Sequence, residues 1–191
     1  FLKLRQDQGF KENDPASLYL VFTGNPGTGK TTIAKMMGAL YKKMGLLTKG
    51  HVISADRSDL VGEYIGQTAP KVKEVIEKAR GGILFIDEAY SLARSADDNK
   101  DFGREVIEML VKEMTGGNGD LAIIVAGYPK EMKVFIDTNP GLKSRFKHFF
   151  EFPDYLPQEL MRIAEYTVRE KELMLTEGAK SKIEEIIVEA Y

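Results

Sequence analysis

The octapeptide GNPGTGKT, Gly24 to Thr31, places a lysine and a threonine directly after a glycine-rich loop. It fits the pattern G-x-x-x-x-G-K-[ST] in full, and it sits between an apolar stretch, SLYLVF, and a segment of helical character. In such a loop the backbone N–H groups turn inward around phosphate oxygens, and the helix start adds partial positive charge. Gly24, Asn25, Pro26, Gly27, Thr28 and Gly29 would wrap the phosphates, with Thr32 at the helix start. Lys30 would reach the β and γ groups, and the Thr31 hydroxyl can ligate Mg²⁺. A second stretch, ILFIDE, ends an apolar run in two carboxylates. Asp87 would hold the Mg²⁺ shell, directly or through water, and Glu88 is placed to orient and activate an attacking water. At the carboxyl end of a buried strand, this pair points to hydrolysis rather than binding alone. The transition state needs one more cation, commonly an arginine from a neighbouring subunit, and NPGLKSRF offers Arg145 in a turn-rich segment.

The elements that must position these residues alternate. Ser17 to Gly24 reads as a buried strand, followed by a helix from Gly29 to about Met44. HVISAD is a second strand, and Val72, Val75, Ile76 and Ala79 form one stripe of a helix over Lys71 to Arg80. GGILFIDEA reads as a strand covered on both faces. Val106, Ile107, Leu110, Val111 and Met114 mark a helix that GGNGD ends. LAIIVAGY and KHFFEF complete the strands. The alternation argues for an α/β fold with a parallel sheet and helices on both faces. After Pro153 two helical patterns follow, Leu160, Ile163, Ala164 and Val168, then Ile183, Ile186, Ile187 and Ala190, with FPDYLP as the joint.

Composition narrows the function classes. The chain has 191 residues, a net charge of −2 and a pI near 5.8, so no overall basic field favours nucleic acid. Cys is absent, which excludes disulfides and thiolate metal sites, and His51 and His148 lie far apart and read as structural. No apolar run has the length to cross a bilayer, and the start is unlike a secretory signal, so the sequence reads as cytoplasmic. Phe1 rather than Met at the start suggests a piece of a longer protein. One stretch resists this reading: VGEYIGQTAPK sets Tyr64 between two glycines on a loop. On residue type alone, a lone loop tyrosine reads as folded back onto the core.

In order, GNPGTGKT, ILFIDEA, the polar position after LAIIVAG and the arginine of PGLKSRF, followed by a helical lid, resemble the AAA+ ATPases. The longer strings VFTGNPGTGKTT, DRSDLVGEYIGQTAPK, GGILFIDEAYSL, DFGREVIEML, NPGLKSRF and FPDY resemble one group within them. That group contains red-type Rubisco activase, stage V sporulation protein K and the type VII secretion ATPases, and the chain looks most like the sporulation protein K-like members. The resemblance covers about Ser17 to Ile187.

It implies a P-loop NTPase core with a five-stranded parallel sheet over residues 1–152, and the first part of a small helical lid over 153–191. It also implies ATP with Mg²⁺, a homo-oligomeric ring, commonly a hexamer, and Arg145 acting in trans. Tyr64, Ile65 and Gly66 would form a pore loop that grips an extended protein substrate, which reverses the packed reading of Tyr64. RSADDNKD is either a second pore loop or a solvated stretch. Tyr128 stands near the first-sensor position, where the family usually has Asn. The second-sensor arginine and the upstream segment that helps hold adenine have no counterpart in the chain. The function implied is an ATP-hydrolysing motor that remodels or threads protein. The alternative is a nucleotide-dependent switch or scaffold that docks a partner without threading.

Overall fold

The computed structural model describes residues 18–93, 102–117 and 119–190. The chain divides into a larger compact unit that runs to Phe152 and a smaller one from Pro153 onward.

Five strands build the larger unit: β1 (Tyr19–Gly24), β2 (Val52–Ala55), β3 (Ile83–Ile86), β4 (Ala122–Gly127) and β5 (His148–Phe152). They form one sheet in the order β2-β3-β4-β1-β5, and every neighbouring pair is parallel. Parallel neighbours need crossovers. These run through α1 (Lys30–Lys43), a short α2 (Arg57–Leu60), α3 (Thr68–Ala79), α4 (Phe102–Gly116), α5 (Pro129–Asp137) and a short α6 (Pro140–Arg145). The apolar runs of β1, β3 and β4 are continuous because both faces of the sheet are covered there, whereas the edge strand β5 is exposed. Val21, Leu84, Ile86, Ile123 and Val125 enter one core with Val72, Ile76, Val106, Leu110 and Phe135 from the helices. Their alternating neighbours Leu20, Phe22, Ile83, Phe85 and Ile124 enter the other, beneath Ala34 of α1.

Four helices differ from the sequence reading. The four-residue α2 is carried by its cap: the Asp56 carboxylate accepts the N–H groups of Ser58 and Asp59. The α3 helix begins at Thr68 rather than Lys71, because Pro70 falls in its first turn, where the missing N–H costs nothing. The segment NPGLKSRF is a helix rather than a set of turns. Asn139 accepts the N–H groups of Gly141 (2.7 Å) and Leu142 (3.4 Å), Pro140 starts α6, and Leu142 is fully buried. The α5 helix is absent from the sequence reading, although Pro129 followed by Met132, Phe135 and Ile136, all three buried, marks it.

The smaller unit holds α7 (Pro157–Glu170) and α8 (Glu177–Ala190), packed on each other with Lys180 3.6 Å from Glu165. No residue of α7 is fully buried.

Arg80 locks α3 to α4 next to the amino end of β3. Its guanidinium lies 2.8 Å from Glu113 of α4 and 2.7 Å from Glu77 of α3, and the hydrogen bonds to Glu113 and then Glu77 hold it charged well above the usual arginine range. Arg80→Met leaves the partly buried Glu113 carboxylate unpaired and is expected to destabilise the fold by about 1–2 kcal/mol. Adding Glu113→Gln should restore roughly half of that loss in denaturant unfolding, since the two sites share one interaction.

Candidate active site

Three strand ends converge. β4 lies between β3 and β1, so the carboxyl ends of these strands deliver the acidic pair, Tyr128 and the glycine-rich loop to one side of the sheet. A cleft of about 350 Å³ opens there, lined by Gly24, Pro26, Gly27, Gly29, Lys30, Thr31, Thr32, Asp87, Glu88, Gly127 and Tyr128. Asn25 and Thr28 do not line it. They hold the loop instead, through Thr28 Oγ1 donating to the Asn25 carbonyl at 2.7 Å. Gly27 and Gly29 adopt φ of +79° and +88°, the conformation that lets successive N–H groups face one concavity.

Lys30 is only 8% exposed. Its ammonium donates to the carbonyls of Asn25 (2.7 Å) and Gly24 (3.0 Å) and lies 3.4 Å from Thr28 Oγ1. Burial pulls its pKa below the ordinary lysine value, and the negative charge of Asp87 pulls it partly back. A fixed, partly desolvated cation therefore faces an exposed carboxylate across the cleft. Phosphate oxygens would suit the ammonium, whereas the carboxylate calls for a cation beside them.

The backbone turns sharply after Asp87. The Asp87 N–H extends the ladder to the Ala55 carbonyl (3.0 Å), and the Glu88 N–H folds over to Asp87 Oδ1 (3.0 Å). Glu88 sits at φ +47°, a left-handed conformation that a non-glycine residue adopts at a cost of about 1 kcal/mol. The turn continues into a 3₁₀ segment, Ala89–Ala93, in which the Ser91 N–H donates to the Glu88 carbonyl at 2.8 Å.

Tyr128 precedes α5 with its ring 6.1 Å from Tyr90 and tilted by 40°. Gly127 beside it went unnoticed in the sequence, although the glycine before the tyrosine in VAGY was a signal. A Cβ there would stand 2.7 Å from the Tyr90 ring.

Among the described residues, no cluster of three or more His, Asp or Glu side chains could hold a metal by itself. Thr31 and Asp87 fit Mg²⁺ only when phosphate oxygens supply further ligands, which is how that ion is usually bound. His51 is structural: its Nε2 donates to the Lys78 carbonyl at 2.7 Å.

The loop around Tyr64 does not fold onto the core. Tyr64 is 68% exposed and Ile65 82%. The Gln67 N–H closes a turn on the Tyr64 carbonyl at 3.2 Å, with Gly66 at φ +84° in the position that requires it. Gly62 has a different task. Its N–H donates to Thr68 Oγ1 (3.1 Å), and a Cβ on it would come within 2.6 Å of Gln67, so it closes the base of the loop. The possible second pore loop, RSADDNKD, lies outside the described residues.

Arg145 does not line the cleft. It ends α6 and donates to the Gly141 carbonyl (3.0 Å), to Ser144 Oγ (3.2 Å) and to Thr115 Oγ1 at the end of α4. Phe146 next to it packs edge-on against Tyr19, the first residue of β1, at 6.4 Å. The glycine-rich loop begins at the other end of β1, roughly 20 Å away for a six-residue strand.

Relieving the Glu88 backbone gives a direct check. Glu88→Gly is expected to raise stability by about 0.5–1 kcal/mol in thermal unfolding, since glycine adopts φ +47° without strain. An ordinary exposed glutamate would lose stability on this change.

Residues 20–154 match the model of the ATPase family associated with various cellular activities, AAA. The chain is 50% identical over 184 residues to Stage V sporulation protein K of Bacillus subtilis (strain 168), covering 96% of this chain and 56% of that protein. It is 46% identical to Protein CbbX of Cereibacter sphaeroides over 95% of this chain and 58% of the relative. It is 47% identical to the chloroplastic ribulose bisphosphate carboxylase/oxygenase activase of Cyanidioschyzon merolae, over 93% and 60%. The chain thus spans a little over half the length of these relatives. Among solved structures, the FIGL-1 AAA domain in complex with ADP superposes with a TM-score of 0.62 at 19% identity, covering 95% of this chain and 58% of that one. That likeness concerns the fold alone. The cleft, the parallel sheet that builds it and the family match over residues 20–154 agree: the chain belongs to the AAA family of ATPases.

Proposed function

We propose that this chain is the motor core of a cytoplasmic, ring-forming ATPase, a hexamer, that remodels or threads a protein substrate. The observation that carries the proposal is the single cleft that joins Lys30 and the glycine-rich loop to Asp87 and Glu88. ATP is the substrate, with its phosphates in the loop and Lys30 and Thr31 beneath the β and γ groups. Thr31 and Asp87, the latter directly or through water, would hold Mg²⁺, which would supply charge neutralisation at the phosphate oxygens. Glu88 orients the attacking water and takes its proton; its exposure at a strained turn leaves the carboxylate free to do so. Tyr128 borders the same cleft and is assigned the first-sensor position, contacting the γ phosphate or the water.

Arg145 would act in trans. Its separation from its own cleft by the length of β1 supports this, because only a neighbouring subunit could bring it to a γ phosphate. The tip residues Tyr64, Ile65 and Gly66 are read as the substrate grip. Two large apolar side chains held in water on a closed turn are costly unless they meet a partner. The residues from Pro153 onward are read as the first part of the lid.

Glu88→Gln is expected to bind Mg·ATP with unchanged affinity while turnover falls at least about 100-fold, measured by calorimetry and phosphate release. Arg145→Ala alone should be equally impaired. Mixing it with Glu88→Gln subunits should restore part of the activity, since the site of an Arg145→Ala subunit then has its own Glu88 and an intact Arg145 from its neighbour. Wild-type turnover by either variant alone would contradict the assignment. Tyr64→Ala should keep basal hydrolysis within about twofold and lose substrate remodelling, whereas unchanged partner capture by this variant would mark a switch rather than a motor.

A further inference from the structure

We infer that Arg57 is a positioning residue that couples the acidic turn at Glu88 to the exposed Tyr64 loop, an inference that rests on the roles proposed above for those two residues. Arg57 is half-buried in the first turn of α2. Its guanidinium donates to the Ser91 carbonyl at 2.6 Å. Ser91 in turn donates its N–H to the Glu88 carbonyl at 2.8 Å, so the atom that Arg57 grips belongs to the turn that sets the Glu88 backbone. A charge-assisted bond to a backbone carbonyl is among the stronger and more directional contacts available there.

The other end of α2 is fastened to the loop. Lys71 Nζ donates to the carbonyls of Ser58 (3.2 Å) and Val61 (3.1 Å), which gathers the end of α2 onto α3. Gly62 then bonds Thr68, and the turn to Gly66 follows directly. Asp56 fixes the start of α2 by accepting from Ser58 N–H at 2.7 Å and Ser58 Oγ at 2.6 Å. The helix, the loop base and the start of α3 therefore form one body that Arg57 clamps to the acidic turn. An open cleft of about 670 Å³ is bordered by Arg57, Glu63, Lys71, Asp87 and Glu88, so the clamp and the acidic turn face the same solvent-filled space. A change at the Glu88 turn on exchanging ATP for ADP reaches Tyr64 by this route. Coupling of this kind is measured as a difference between two ligand states, not as a contact.

The chain has no cysteine, so Ile65→Cys accepts a single environment-sensitive fluorophore on the otherwise unmodified protein. The labelled protein is expected to give different emission with Mg·ATP and Mg·ADP. Adding Arg57→Met, which keeps the apolar stem, should leave nucleotide affinity within about twofold and cut that difference at least about fivefold. Should Arg57→Met fail to fold, Arg57→Lys keeps the charge but not the planar donor fork, and a loss of at least about threefold is expected. An undiminished difference in the variant that folds overturns the coupling. So does a labelled parent that hydrolyses ATP with no difference between nucleotides, an outcome that leaves the ATPase reading intact. A labelled parent that binds no nucleotide defeats both.

Discussion

A lysine ammonium withdrawn from water is unfavourable unless oxygen atoms surround it, and much of this domain's geometry follows from where Lys30 is kept. The carbonyls of Gly24 and Asn25 meet it at the end of β1, and the left-handed glycines of the loop make that close approach possible. Burial lowers its pKa and the charge of Asp87 opposes this, while its hydrogen bonds go to backbone carbonyls. The strand order does the rest. With β4 between β1 and β3 and all three parallel, the acidic turn and Tyr128 arrive at the same edge of the sheet as the loop.

Strain sits at the chemical centre and rigidity around it. Glu88 holds a left-handed backbone that its neighbours enforce through Asp87 Oδ1 and Ser91. The surrounding helices are fastened by Arg80 to Glu113 on one side and by Arg57 and Lys71 on the other. The tip of the Tyr64 loop, by contrast, contacts little but its own turn. Such a division suits the motor proposed above, in which a small rearrangement at a phosphate would become a displacement at an exposed aromatic.

The phosphate loop and the acidic strand end were legible in the sequence because their chemistry demands fixed residue types at fixed spacing, next to apolar runs long enough to name their strands. The parallel sheet followed from alternation for the same reason. What escaped were features set by only a few residues. The α2 helix is four residues long and depends on the Asp56 cap, and α6 reads as turns until the Asn139 cap is recognised beneath Pro140 and Gly141. The left-handed Glu88 leaves no trace in composition, since glutamate is not a residue that signals positive φ. Tyr64 was ambiguous from residue type alone. The choice between core and solvent there depends on Gly62, whose place against Gln67 closes the loop outward, and no periodicity reports that contact.

The central claim is that the Lys30 loop and the acidic turn form one Mg·ATP site. Calorimetric titration of Mg·ATP into the intact chain and into Lys30→Met tests it most directly, with circular dichroism to confirm that both are folded. The account predicts saturable binding to the parent and an affinity loss of at least about 30-fold in the variant, as expected when a charged partner of a phosphate is removed. Equal affinity in the two proteins would contradict it.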